Sequence, residues 1–224
     1  MKSALKILST KTLSTTQKSR IIELGYGYTE RNFIETQIVS FNYIERNSTL
    51  IFSSQNAVKS VYSKSGIGIV LKDKKCYCVG EKTKRILIEK GLKVAHFEKN
   101  SSDLADFITK KAKNDHFLFF CGNKRRPELE TKLRQENIKI NPTEVYRTLL
   151  KPKVMGLFDI ILFFSPSGVK SFLESNNIGK SICVCIGPTT ASSILAPKKN
   201  ILIASKPTIE HMIYTIKKKL YTHD

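Results

Sequence analysis

What this chain lacks narrows the field before anything it contains. Tryptophan is absent, which restricts nothing about the fold. No long apolar run occurs: the longest, around Phe158–Phe164, is interrupted by Asp159 and is far too short to span a bilayer. Met1–Leu8 has no sustained apolar stretch, so no secretory signal is expected. G-x-G-x-x-G and Walker patterns are missing, which argues against a nucleotide. The four histidines (His96, His116, His211, His223) are scattered, and no Cys/His or Ser/His pair can be read from them. Five cysteines, an odd number in a mid-sized chain, fit a reducing cytoplasm better than a disulfide framework. Cys76/Cys78 and Cys183/Cys185 would each share one strand face. Without further ligands at suitable spacing they read as small core residues, so no metal is expected.

Acidic side chains are scarce too. The 224 residues carry 19 acidic against 38 basic groups, a net charge of +19. Residues 44–142 hold 21 basic and 11 acidic groups, and the remainder holds 17 and 8. The charge is therefore spread over both halves and forms no detachable tail. Nucleic acid, an anionic membrane, a polyanionic small molecule or a lysine-rich surface would each suit it.

What is present is a repeat. Leu50-Ile51-Phe52-Ser53-Ser54-Gln55-Asn56-Ala57-Val58 is echoed by Ile161-Leu162-Phe163-Phe164-Ser165-Pro166-Ser167-Gly168-Val169. A second echo follows each copy: Cys78-Val79-Gly80-Glu81-Lys82-Thr83, then Cys185-Ile186-Gly187-Pro188-Thr189-Thr190. Each places Ser, Thr and backbone N–H groups where a strand ends and a helix begins. Ligands sit there in α/β sheets, and helix N-termini favour anions. Helix capping alone would explain a single copy; recurrence in both halves favours the ligand reading.

Strands and helices are expected to alternate. Strands are read at 4–9, 33–43, 49–52, 76–79, 92–96, 117–120 and 138–148, then at 160–164, 181–186 and 200–204. Helices are read at 17–24, stopped by Gly25 and Gly27, and at 55–63, 81–90, 102–113, 127–136, 169–175, 189–195 and 208–221. Ser101 or Ser102 is the expected cap of the 102–113 helix. This βαβα rhythm implies parallel sheets covered on both faces. The C-terminal part has too few strands for a sheet of its own, and the N-terminal residues supply the rest. The expected fold class is thus two similar parallel-sheet α/β domains. One is discontinuous (1–39 plus 150–224) and one is inserted (44–142). The chain crosses between them at 40–43 and 143–149, as a two-stranded β-ladder hinge.

Two further segments could carry chemistry. Cys121-Gly122-Asn123-Lys124-Arg125-Arg126 follows a strand, and Lys124 or Arg126 could hold a carboxylate or simply face solvent. In Val145-Tyr146-Arg147-Thr148 the tyrosine could donate a proton, or pack in the crossing.

Taken in order, these segments resemble the uroporphyrinogen-III synthase family. Ser165-Pro166-Ser167-Gly168-Val169 and Ile186-Gly187-Pro188-Thr189-Thr190-Ala191 are the specific blocks; Val145-Tyr146-Arg147-Thr148 strengthens the resemblance, with Ser205-Lys206-Pro207-Thr208 near the end. The resemblance implies two α/β domains with the active site in the cleft, and a cytoplasmic monomer. It implies a cofactor-independent lyase of haem and other tetrapyrrole biosynthesis. The substrate would be hydroxymethylbilane, cyclised to uroporphyrinogen III with loss of water and inversion of the terminal ring. Tyr146 matches the tyrosine suspected of assisting departure of the hydroxyl. Ser54, Asn56, Thr83, Arg126, Ser165, Ser167, Gly187, Thr189 and Thr190 match substrate-binding positions. Lys84 stands where the family usually has alanine. The alternative is a non-catalytic two-domain binder of a small polyanion. A nucleic-acid partner is not expected, since no recognition helix or aromatic RNA motif is present.

Overall fold

The computed structural model describes residues 5–41 and 48–221. The expected crossing at 40–43 lies partly outside them, as do the start of the inserted segment at 44 and the first residue of the strand expected at 4–9. The chain divides by its internal packing into two compact units. Unit 1 is Met1–Glu35 with Leu149–Asp224, and unit 2 is Thr36–Thr148.

The N-terminal residues form β1 (Lys6–Ser9), α1 (Thr15–Ile22), β2 (Gly27–Glu30) and β3 (Ile34–Ile38). Next come β4 (Ser48–Phe52), α2 (Gln55–Tyr62), α3 (Ile67–Leu71), β5 (Cys76–Val79), α4 (Glu81–Glu89), β6 (Val94–Glu98), α5 (Ser101–Lys111), β7 (His116–Gly122), α6 (Glu128–Gln135) and β8 (Ile140–Leu150). The chain ends with β9 (Ile160–Phe163), α7 (Pro166–Leu173), β10 (Ile182–Cys185), α8 (Pro188–Ala191), a 3-10 turn, β11 (Ile201–Ile203) and α9 (Ile209–Tyr221).

Unit 1 carries a five-stranded sheet in the order β11-β10-β9-β1-β2, with every pair parallel. The six-stranded sheet runs β3-β8-β7-β4-β5-β6, parallel from β8 to β6. β3 and β8, the strands that carry the chain between units, are hydrogen-bonded neighbours. Val39 N–H meets the Val145 carbonyl and Lys151 N–H meets the Phe33 carbonyl, so this one pair is antiparallel.

The two parallel sheets share one topology. Starting from β4, unit 2 runs outward through β5 to β6, then returns to β7 and β8 on the other side of β4. Unit 1 repeats the order if β9 is matched to β4 and β1 to β7; its chain simply enters at a different strand. Each sheet therefore reverses its winding once, between β4 and β7 and between β9 and β1. In open α/β sheets a crevice opens at the carboxyl ends of the strands at such a reversal.

Helices cover both faces of each sheet, so central strands are apolar throughout. All five residues of β4 are buried: Leu50 and Phe52 face a cluster with Val58, Leu87 and Phe120, and Ile51 faces one with Leu104, Ile108 and Leu133. In unit 1, Ile161 and Phe163 of β9 pack with Val169 and Phe172, while Ile160 and Leu162 pack with Met212 and Ile216. All five cysteines are buried and reduced, spread over three of these clusters.

Several local expectations need correction. The cap of α5 is Asn100, whose Oδ1 accepts the Asp103 N–H at 2.9 Å, one residue before the expected serine. Gly27, expected to stop a helix, begins β2. Of the long strand expected over 33–43, whose last two residues lie outside the described ones, the described part forms a strand at Ile34–Ile38. α8 is one turn, Pro188–Ala191, where 189–195 was expected. Among the described residues, no helix is long and apolar enough to cross a membrane.

Candidate active site

In unit 2, β4 ends at Phe52, β5 at Val79 and β7 at Gly122. Phe52 pairs with Cys78 and with Phe120, so the turns that follow these strands lie side by side along one edge. Ser54 caps α2: its Oγ accepts the Ala57 N–H at 3.1 Å. The same Oγ lies 3.1 Å from the Tyr146 hydroxyl, and the two share a hydrogen bond. Two of the expected residues, 92 positions apart, thus meet at the reversal between β4 and β7.

Gly122 makes that meeting sterically feasible. A Cβ here would fall 2.6 Å from Tyr146 Cε2 and 2.9 Å from its hydroxyl oxygen, and nearer still to Cζ. The β7–β8 register also slips at this point, from Cys121 opposite Glu144 to Gly122 opposite Tyr146. Such a bulge re-aims a side chain. Asn123 then fixes the strand beyond the ring. Its N–H donates to the Tyr146 carbonyl at 3.3 Å, and its Oδ1 accepts the Thr148 N–H at 2.9 Å. The Cys121–Arg126 segment was singled out for Lys124 or Arg126, and the parts played in it by Gly122 and Asn123 were not anticipated; a glycine directly after an apolar strand was the available signal.

The other unit 2 residues take different places. Asn56 is exposed in the first turn of α2, and Arg126 is exposed on the loop after β7. Arg125 is engaged by Glu130, whose carboxylate holds the guanidinium proton more firmly than usual. Thr83 is only 4% exposed, so its side chain packs beneath α4. Gly80 before it has φ +85, a left-handed value that favours glycine, and its carbonyl accepts the Thr83 and Lys84 N–H groups.

Unit 1 offers the matching edge. Ser165 caps α7, accepting the Gly168 N–H at 3.1 Å, and Pro166 follows in the first turn. Ser167 is half-buried beside it. Gly187 is extended and leaves open space where a Cβ would stand. Thr189 is exposed, whereas Thr190 is 3% exposed and repeats the placement of Thr83. Thr10, not anticipated, lies at the reversal between β1 and β9. Its N–H and hydroxyl both donate to the Leu162 carbonyl, at 3.1 and 2.7 Å.

No thiol is placed to act as a nucleophile. Burial pushes Cys183 up to about 11, and Cys78, Cys121 and Cys185 up to about 12, so these thiols stay protonated near neutrality. Among the described residues no group of three or more His, Cys, Asp or Glu is arranged to hold a metal ion.

The class is thereby defined: a pair of doubly wound α/β units, each with a serine-capped helix at its winding reversal, and one phenol–hydroxyl pair at the edge of unit 2. Comparison with known proteins narrows it. Residues 17–214 match the family model described as uroporphyrinogen-III synthase HemD, and the chain belongs to that family. The family comprises cofactor-independent cyclising lyases of tetrapyrrole biosynthesis. No curated protein matches the sequence. Among solved structures, uroporphyrinogen-III synthetase from Helicobacter pylori is similar, with TM-score 0.70 and 19% identity over 96% of this chain and 99% of that one. A mutant uroporphyrinogen III synthase from Thermus thermophilus gives TM-score 0.69 and 14% identity over 98% and 100%. The wild-type Thermus thermophilus enzyme gives TM-score 0.56 and 16% identity over 98% and 99%. At such identities the likeness concerns the fold.

Proposed function

We propose that this chain closes hydroxymethylbilane to uroporphyrinogen III, inverting the terminal pyrrole ring and releasing water. The observation that carries the reading is the Ser54–Tyr146 hydroxyl pair, seated over Gly122 at a winding reversal. Family membership supplies the reaction.

The hydroxyl chain has a consistent direction. Ser54 Oγ already accepts from Ala57 N–H. Its own proton can then be given to the Tyr146 oxygen, which frees the phenolic proton for a third group. That group is the departing hydroxyl of the substrate, which leaves as water after taking the proton. Ser54 steadies the phenolate left behind. The remaining methylene is an electrophile that the terminal ring must attack through its substituted carbon. Spontaneous closure gives the uninverted isomer, so the protein's task is to hold the chain in the geometry for inversion. The inverted ring passes through a spiro intermediate, and the proton released at closure restores the phenol.

Holding falls to the carboxyl edges. The substrate carries an acetate and a propionate on each ring. The N-terminal turns of α2 and α7, with Ser54, Asn56, Ser165 and Ser167, present N–H and hydroxyl groups suited to carboxylates. Backbone at Gly187 and the side chain of Thr189 extend the unit 1 edge, and Arg126 adds charge to that of unit 2. Thr83 and Thr190 serve through their helix turns rather than their buried hydroxyls. The net charge of +19 concentrates such a polyanion. The chain is expected to act as a cytoplasmic monomer, without nucleic acid or membrane.

The test is direct. Freshly made hydroxymethylbilane is supplied, the products are oxidised, and the uroporphyrin isomers are resolved by chromatography. A type III excess over the uncatalysed mixture is expected; type I alone would remove the assignment.

A further inference from the structure

Arg31 stands one residue beyond β2, and its N–H donates to the Ser9 carbonyl at 3.0 Å. Its side chain is half-buried, and among the described residues its Nε is buried with no hydrogen-bond partner. A guanidinium whose donor is hidden from water and left unused is costly unless an acceptor arrives.

The nearby carboxylates in the sequence are already committed. Glu30 is gripped by Lys18, and also accepts from the Tyr28 hydroxyl at 2.8 Å and the Leu13 N–H at 3.0 Å. Glu35 pairs with Lys151 at 2.8 Å. No ion pair is formed by Arg31 among the described residues.

Its direction follows from the strand pairing. Ser9 lies opposite Glu30, and Glu30 shares a face with Tyr28. Arg31 therefore falls on the other face, beside Thr10. That is the face on which α7 begins, since a Cβ on Gly168 would lie 3.8 Å from Thr10 Oγ1 and 3.4 Å from Ser165 Oγ. The loop beneath is firmly tied: Thr12 N–H donates to Asn32 Oδ1 at 2.8 Å, and Phe33 N–H to the Thr10 carbonyl at 3.3 Å. The arginine is thus held on rigid backbone at the carboxyl edge of unit 1.

We propose that Arg31 is a carboxylate-binding residue of unit 1, its guanidinium set to receive an acetate or propionate of the linear tetrapyrrole. The proposal rests on the functional reading above for the identity of that ligand. A planar fork on a carboxylate gives a directed, charge-assisted contact rather than general attraction.

Two measurements test it: the KM for hydroxymethylbilane, and fluorescence titration with uroporphyrin III, which bears eight carboxylates and needs no turnover. Arg31→Gln raises KM and weakens uroporphyrin III binding about ten- to hundredfold, with kcat nearly unchanged. Lys180→Gln removes the same charge at the opposite, amino edge of the sheet and shifts neither by more than about twofold. Arg31→Lys keeps the charge, loses the fork and falls between; it also stands in should Arg31→Gln not fold. Arg31→Gln indistinguishable from wild type, or from Lys180→Gln, overturns the proposal. A wild-type chain that makes no type III isomer instead sinks the functional reading, and the uroporphyrin titration then still decides whether Arg31 grips a polycarboxylate.

Discussion

Units 1 and 2 are the same sheet wound from different starting strands, yet they use their carboxyl edges differently. Each has a serine capping the helix after its central strand, Ser54 on α2 and Ser165 on α7. In unit 2 the serine oxygen also meets a phenol. In unit 1 the hydroxyl at the reversal, that of Thr10, is spent on the Leu162 carbonyl. Unit 1 has a phenol in β2, Tyr28, but it donates to Glu30, and burial and that bond hold its proton more tightly than usual. Under the proposed function this one repeated scaffold supplies two anion-receiving edges, and only unit 2 supplies the proton donor.

Breaking the asymmetry at its centre has the largest expected effect. Tyr146→Phe should lower turnover about 10²–10⁴-fold with thermal stability nearly unchanged, as isomer-resolved kinetics beside a melting curve would show. An undiminished rate would put the proton donor elsewhere. Gly122→Ala comes next. Its methyl group occupies the space of the Tyr146 ring. It should displace the phenol, cut turnover at least about tenfold and cost about 1–3 kcal/mol in denaturant unfolding. Gly156→Ala, at a glycine of unit 1 with open space where a Cβ would stand, should do neither.

The matched pair Ser54→Ala and Ser165→Ala sharpens the comparison. Each removes a helix cap and should cost about 1 kcal/mol of stability. Ser54→Ala should in addition slow turnover about tenfold, because the phenol loses its partner. Equal kinetic effects would mean that the serines serve one role. The smallest effect concerns unit 1 alone. Burial pushes the Glu30 carboxyl up, but the bonds from Lys18, Leu13 and Tyr28 outweigh it, and its pKa ends below the ordinary value. A carboxylate lowered on folding stabilises the fold above its unfolded pKa. That contribution is lost as pH falls through the lower, folded value. Glu30→Gln should therefore flatten the acid limb of stability below about pH 4.3, by less than about 1 kcal/mol.

How much could be read from residues alone depended on the range of the determining contact. β4 and β9 are covered on both faces, so their apolar runs were plain. Ser54 and Ser165 were visible because capping is local. β2 was missed: Gly-Tyr-Thr-Glu offers few apolar residues, and a glycine just past a helix reads as its stop. α3 is a short helix with Ile69 and Val70 exposed, and it shows no clear amphipathic stripe. Gly122 offered only the signal of a glycine after an apolar strand, and Arg31 offered none, for another reason. Gly122 is required by a ring on the neighbouring strand, and Arg31 is set apart by lysines that claim its neighbouring acids. Both depend on strand register, which composition does not reveal. Thr83 and Thr190 matched a motif, but their side chains are buried, which the motif alone did not reveal.

The shared strand order has a consequence for how the chain is made. Every strand of the inserted unit lies before residue 151, whereas β1 must wait for β9, with Leu8 pairing to Ile161. A nascent chain emerging from the ribosome can thus complete the six-stranded sheet while its first thirty-odd residues still lack their inner neighbour. Closing so long a loop is slow, and an apolar strand left waiting invites aggregation. Refolding should accordingly show the inserted unit protecting its amides from exchange first and the terminal one later.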